Sequence, residues 1–198
     1  MNAIPIDGRV ARSERTRRAI VDAMLSLYAE DNLTPTIEEL ASRVGMTSRT
    51  IYHHFADSDA IAEALTEHQR GQIAPLMIGR LEGTLDQRIE GLVANRAEVF
   101  ETIAPVRRAA RANMHRSTRI RSGQGNIAAR LRRQVAGTFE PELSALDRRA
   151  RAETIELLDL HTSWDTWERL RRWQRLSVNR SRSLVTRLVH QSLDTRPE

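Results

Sequence analysis

Apolar residues recur along this chain at intervals of three and four, the repeat that lines one face of a helix. Ile20, Ala23, Met24, Leu27 and Tyr28 follow that spacing and predict a first helix. Ser13 is a suitable N-cap for it, with a flexible basic arm over Met1 to Arg12 ahead of it. Asp31, Asn32, Thr34 and Pro35 break the pattern. It resumes at Thr36 with Ile37, Leu40, Ala41 and Val44 on one face. Thr36 and Glu39 form a capping box: the hydroxyl accepts from the backbone at Glu39, and the carboxylate reaches back to the amide of Thr36. Gly45 stops this second helix, where a left-handed residue costs least without a Cβ. Thr47 caps a short third helix ending near Phe55. Asp57 or Ser58 opens a fourth, with Ile61, Ala64 and Leu65 inward and Pro75 ending or kinking it.

The remainder predicts further helices. One runs from Asp86 to Ile103, and another starts at Pro105 and reaches about Arg116. Ser122, Gly123 and Gly125 predict a loop. Ile127, Leu131, Val135 and Phe139 mark a helix stopped by Pro141. Asp147 to about Arg175 is a long segment with a break expected near Ser163, and Ser177 to about Leu193 closes the chain. No stretch alternates strictly with β-branched enrichment, and no repeat or low-complexity segment occurs. The expected fold is all-α: an N-terminal three-helix domain with a helix-turn-helix over residues 1–57, then a C-terminal helical bundle over 58–198.

Composition narrows the class. The chain of 198 residues has no cysteine, so disulfides and thiolate metal sites are excluded. The mean hydropathy is −0.50. The longest apolar runs, such as Ile73 to Ile78, fall far short of the roughly 20 residues a membrane span needs, and the N-terminus lacks the apolar core of a secretory signal. The expected location is the cytoplasm, with no membrane partner. The net charge is +5 and every basic residue other than histidine is arginine. That bias reflects coding preference or the fitness of guanidinium forks for phosphate and base edges, and either reading permits nucleic acid as a partner. Arginines cluster between Arg9 and Arg18. They are also the only charged residues other than His115 from Arg107 to Arg133, a stretch that is either solvated helix surface or an anionic-ligand site.

Thr36 to Phe55 carries the chemistry. Two short helices joined by a tight glycine-bearing turn form the unit that sets its second helix into the DNA major groove. Ala41 lies where the two helices cross. Ile51 and Phe55, one turn apart, must face the core. Arg49 and His53 then project away from it, flanked by Thr50 and Tyr52, while His54 sits at the boundary. Arg49 suits a guanine edge, and His53 suits a base or a phosphate. The hydroxyls of Thr36, Thr47, Thr50 and Tyr52 suit phosphates, and the helix N-termini add backbone donors.

The run Ile51-Tyr52-His53-His54-Phe55, followed by Asp57-Ser58 and a helix start, resembles the TetR family of bacterial repressors. Arg17, Arg18, Ile20, Ala23 and Leu27 resemble that family's first helix, and the likeness extends from about Arg15 to Leu65. The resemblance implies a homodimer with an N-terminal DNA-binding domain and a larger C-terminal domain for effector binding and dimerisation. The positions matching DNA contacts are Thr36, Thr47, Ser48, Arg49, Thr50, Tyr52, His53 and His54. Two positions depart from the family pattern. Ser58 stands where members often carry a phosphate-gripping lysine. Asn32 stands where glycine is common, and asparagine tolerates the left-handed conformation.

The expected function is a sequence-specific transcriptional regulator, a repressor released from operator DNA by a small molecule. The sign of regulation comes from the resemblance alone. Met114, His115, Trp164 and Trp167 are candidates for an effector pocket, against core or dimer interface for the tryptophans. Leu157, Leu158, Leu184, Val185, Leu188 and Val189 supply core or dimer interface. An architectural DNA-binding protein without effector is the alternative, favoured by a solidly filled C-terminal bundle. A helical enzyme competes from another class, but no phosphate-cradling loop, HExxH pair or nucleophile elbow is present. No cofactor and no metal are expected: His53 and His54 point apart on their helix, and no third ligand has suitable spacing.

Overall fold

The computed structural model describes residues 8–77, 79, 81–115 and 118–194, the side chains of 116–126 excepted. All regular structure among them is helical. In chain order the helices are α1 (Gly8–Ala29), α2 (Ile37–Val44), α3 (Ser48–His54), α4 (Ser58–Ile73), α5 (Leu85–Asn113) and α6 (Thr118–Thr138). These are followed by α7 (Glu140–Leu143), α8 (Arg148–His161), α9 (Trp164–Glu168) and α10 (Val178–Asp194). A 3₁₀ turn at Ala74–Leu76 follows α4 and contains Pro75, and a π-helical turn at Arg169–Trp173 follows α9.

The expected caps at several helix starts are present. The Asp147 side chain accepts from the amides of Arg149 and Ala150, and the Ser163 hydroxyl accepts from Thr166 N–H at the predicted break between α8 and α9. Three boundaries differ from expectation. First, α1 opens at Gly8 rather than after Ser13. Its early residues are mostly arginine and alanine, good helix formers, and the Thr16 hydroxyl bonds back to the Arg12 carbonyl. Of the predicted arm, Met1 to Asp7 lies outside the described residues. Second, α5 runs unbroken through Pro105. Proline cannot donate to the carbonyl of Glu101 and normally ends a helix. Burial of Phe100, Ile103, Ala104 and Ala109 on both sides of it holds the helix together. Third, the loop expected at Ser122 to Gly125 lies inside α6. Glycine lowers helix propensity without forbidding a helix.

The chain forms two compact units. The first takes the residues up to Gln72 and those from Ile103 to Arg121; the second takes Ile73 to Thr102 and the residues from Ser122 onward. The division passes through α5 just ahead of Pro105. In the first unit, Ile20, Val21, Met24 and Leu27 of α1 bury with Leu40 and Ala41 of α2, Ile51 and Phe55 of the α3 segment, and Ile61 and Leu65 of α4. Asn113 at the end of α5 donates to the carbonyl of Leu33 at 3.0 Å, tying down the α1–α2 connection.

In the second unit, the core gathers Leu92 and Phe100 of α5, Val135 of α6, Phe139, Leu158 of α8, Trp164 and Trp167 of α9, and Val185 and Val189 of α10. Arg88 grips Glu142 with both guanidinium ends, at 2.8 and 2.5 Å, and donates to the Thr138 carbonyl at 2.8 Å. Leu158, Val185 and Val189 therefore belong to the core. Leu157 is 39 % exposed and Leu160 58 %, while Leu184 and Leu188 are half-buried.

Replacing Pro105 by alanine restores a helical donor. Pro105→Ala is expected to stabilise the protein by roughly 1–3 kcal/mol, read as a higher urea midpoint. An unchanged or lower midpoint would show that the proline fits α5 without cost.

Candidate nucleic-acid interface

The geometry of the Thr36–Phe55 unit begins with its caps. The Thr36 hydroxyl accepts from Glu39 N–H at 3.1 Å, and the Glu39 carboxylate accepts from Thr36 N–H at 2.7 Å. Hydrogen bonds donated by Thr36, the backbone N–H first and the hydroxyl second, hold the Glu39 carboxyl below its ordinary range. Gly45 sits at φ +72, and its N–H bonds back to α2 carbonyls. Nothing lies within 4 Å of where its Cβ would be, so glycine answers a demand of backbone conformation and not of space. The Thr47 hydroxyl then accepts from Thr50 N–H at 3.2 Å and opens α3.

The faces of α3 divide as its periodicity requires. Ile51 is 0 % exposed and Phe55 1 %, both within the first unit's core. Arg49, Tyr52 and His53 are exposed, while Ser48, Thr50 and His54 are half-buried. Arg49 has no ion-pair or hydrogen-bond partner among the described residues. Contrary to the expectation that they point apart, the His53 and His54 rings meet edge to face with centroids 5.4 Å apart. The hydroxyls of Thr47 and Thr50 lie 2.9 Å apart, so one hydroxyl proton serves that bond and the other stays available. A hydroxyl that caps a helix can in this way still donate to an anionic acceptor.

Some positioning groups carried no readable role in the pattern. Arg17 of α1 donates to the carbonyl of His54 at the C-terminal end of α3, and its guanidinium carbon lies 4.1 Å from the centre of the Phe55 ring. It braces α3 from inside the unit. Arg43 of α2 forks onto Glu30 at 2.7 and 2.6 Å and reaches the Ser26 hydroxyl at 2.8 Å, joining α2 to the end of α1. Both partners lie far off in sequence, which hides these contacts from helical periodicity. The left-handed residue after α1 is Asp31, at φ +67, not Asn32. Asn32 instead turns its side chain toward the Glu39 carboxylate at 3.4 Å.

The residues expected around an effector pocket fall into different units. Met114, half-buried, and His115, exposed, belong to the first; Trp164 and Trp167, both buried, belong to the second. Phe100 packs edge to face on Trp164 at 5.7 Å, and the Trp167 indole donates to Glu101 at 2.9 Å. No group of three or more potential metal-ligating side chains occurs among the described residues.

Comparison with known proteins follows this division. Residues 20–65 match the model of bacterial regulatory proteins of the tetR family. The HTH-type transcriptional regulator BetI of Escherichia coli, strain K12 / DH10B, is 29 % identical over 82 residues, covering 39 % of this chain and 42 % of that protein. The chain thus aligns with about two fifths of the length of the BetI proteins it matches. By fold it is similar to a TetR-family transcriptional regulator from Streptomyces coelicolor, with a TM-score of 0.64, 18 % identity, and coverage of 89 % of this chain and 80 % of that one. It is also similar to a protein assigned to that family from Mesorhizobium loti MAFF303099, with a TM-score of 0.61, 17 % identity, and coverage of 92 % and 96 %. At these identities the structural likeness speaks to fold.

The depressed Glu39 carboxyl makes the capping box sensitive to acid. Its contribution is fully present above the unfolded carboxylate range and disappears as pH falls through the folded value. Wild type is therefore expected to be more stable than Glu39→Ala near neutral pH, with the gap closing on acidification. Parallel stability curves at all pH values would contradict this account.

Proposed function

Residues 20–65 belong to the TetR family of bacterial regulatory proteins, and on that premise we propose that this chain is a sequence-specific DNA-binding transcriptional regulator. Its action is repression, relieved when a small molecule releases it from its operator. The observation that carries the reading is the two-faced character of α3. Ile51 and Phe55 lock one face in the core, while Arg49, Tyr52 and His53 stand exposed on the other.

In this reading α3 lies in the major groove. Arg49 forks onto a base edge, and His53 and the boundary residue His54 meet a base or the backbone. Thr36, Thr47, Ser48, Thr50 and Tyr52 hold phosphates and set the register, helped by amides at the starts of α2 and α3. Residues 1–57 serve DNA binding and 58–198 serve regulation and dimerisation. The protein acts in the cytoplasm on double-stranded DNA, without a catalytic step or a cofactor. No helix among the described residues is long and apolar enough to cross a membrane.

The partner is a second copy of the chain. Exposed Leu157 and Leu160 on α8, with half-buried Leu184 and Leu188 on α10, offer apolar surface beyond what the core uses. A twofold dimer presents its α3 helices to half-sites about 34–36 Å apart, or a multiple of that. An effector that prefers the DNA-free form weakens operator binding by the same factor by which DNA weakens effector binding. The competing reading, an architectural DNA-binding protein without effector, draws support from the tight packing of the second unit. There the crevice lined by Arg96, Phe100, Trp167 and Val185 is too narrow to admit a water molecule.

Arg49→Ala is expected to lose roughly 1–3 kcal/mol of discrimination at one base position, measured against an operator recovered by in vitro selection. Unchanged base preference would remove Arg49 from the reading role. Tyr52→Phe should weaken binding to all sequences alike and leave the salt slope unchanged, because no charge is lost. Sedimentation of a monomer at micromolar concentration would overturn the dimer.

A further inference from the structure

The second unit buries a cation that has no carboxylate against it. Arg96 of α5 is 1 % exposed. Its Nη1 donates to Gln134 Oε1 at 2.5 Å and its Nη2 to the Leu131 carbonyl at 3.0 Å, both neutral acceptors. Its Nε–H is fully buried and has no acceptor. Asp159 attracts it only from beyond contact distance, and Arg132 already engages that carboxylate at 3.4 Å. Burial pulls the guanidinium down to about 10, which leaves it cationic at neutral pH. Two other arginines of this unit hold carboxylates: Arg88 has Glu142, and Arg171 has Glu101 at 2.8 Å. A buried charge without a partner is costly, and a guanidinium edge with an idle Nε–H is shaped for a carboxylate fork.

Arg96 also lines the crevice of the second unit. Val93, Phe100, Trp167 and Val185 supply its apolar walls. His161, on the same wall, meets the Ser192 hydroxyl at 2.9 Å, and burial lowers its pKa, so it adds no second positive charge at neutral pH. The wall that carries Trp167 passes into the π-helical turn at Arg169–Trp173, an irregularity frequent at functional sites. The crevice adjoins the α8–α9 break at Thr162 and Ser163, where helix hydrogen bonding is already interrupted.

We propose that this crevice is the effector site and that it takes a small organic carboxylate with a flat or short apolar body, its carboxylate seated on Arg96. The proposal rests on the regulator reading above and names the ligand class for it. The ligand parts the side chains that now fill the crevice, and its charge offsets that of Arg96. A cationic effector is disfavoured by the same group.

The test uses the full chain and its own tryptophan fluorescence. Phenylacetate, indole-3-acetate and octanoate are titrated beside their uncharged amides, with phenethylamine as the cationic probe. At least one acid is expected to bind tenfold or more tighter than its amide, and phenethylamine not to bind. Arg96→Met should abolish the preference for acid over amide, and Arg96→Lys should keep part of it. If Arg96→Met does not fold, the acid–amide comparison on wild type still decides. Equal binding of every acid and its amide, no binding by any of them, or a preference that survives in a folded Arg96→Met protein overturns the proposal. Binding of the selected operator is measured in parallel without ligand. Operator binding with no acid preference defeats the ligand class alone, whereas no operator binding defeats the regulator reading.

Discussion

A helix of the length of α3, Ser48–His54, has no stability of its own in water, since isolated helices shorter than about 12–15 residues are marginal. Its presence depends on burying Ile51 and Phe55 among Ile20, Leu40, Leu65 and their neighbours. Each such side chain contributes about 1.5–3 kcal/mol when fully buried. That burial fixes the rotation of α3 about its axis, and the rotation decides which side chains are offered outward. Arg49 and His53 face solvent because Ile51 and Phe55 cannot. Arg17 then closes the far end of the helix, bonding its last carbonyl and covering the Phe55 ring. Specificity in this unit thus begins with an apolar constraint.

The absence of lysine gives the arginines a wide range of duties. Arg43 on Glu30, Arg88 on Glu142, Arg151 on Glu140 and Arg171 on Glu101 each use two nitrogens to hold two carboxylate oxygens. A planar fork makes such two-point contacts, which a lysine ammonium cannot reproduce. The exposed pairs contribute little individually. Arg88, largely buried with Glu142 and the Thr138 carbonyl, is the more consequential brace because its loss leaves a carboxylate without its main partner. Arg96 departs from these pairs: it is buried and donates only to the neutral acceptors of Gln134 and Leu131.

Much of the first unit was legible in the residues themselves. The Thr36 box, the left-handed Gly45, the Thr47 cap and the inward pair Ile51 and Phe55 are local facts, set within a few positions by hydrogen-bond reach and the helical repeat. The outward set that follows from them was legible too. Arg17 was not readable as a brace, because its acceptor at His54 lies two helices away. Asp31 was not readable as the left-handed residue, because the adjacent Asn32 tolerates that conformation at least as well.

What the sequence by itself determined, then, is the unit from Thr36 to Phe55, where each feature answers to neighbours within one or two turns. Tertiary structure decided where helices persist and which charges turn inward. Pro105 and the glycines of α6 look like stops when only propensity is weighed, yet both helices run through them. Continuity at Pro105 depends on apolar side chains whose partners come from elsewhere in the chain. Arg96 is one of many arginines in the sequence, and only packing against Gln134 and Leu131 of α6 gives it burial without a counter-charge. Local hydrogen-bond geometry is written in short range, whereas burial is a property of the whole assembled unit.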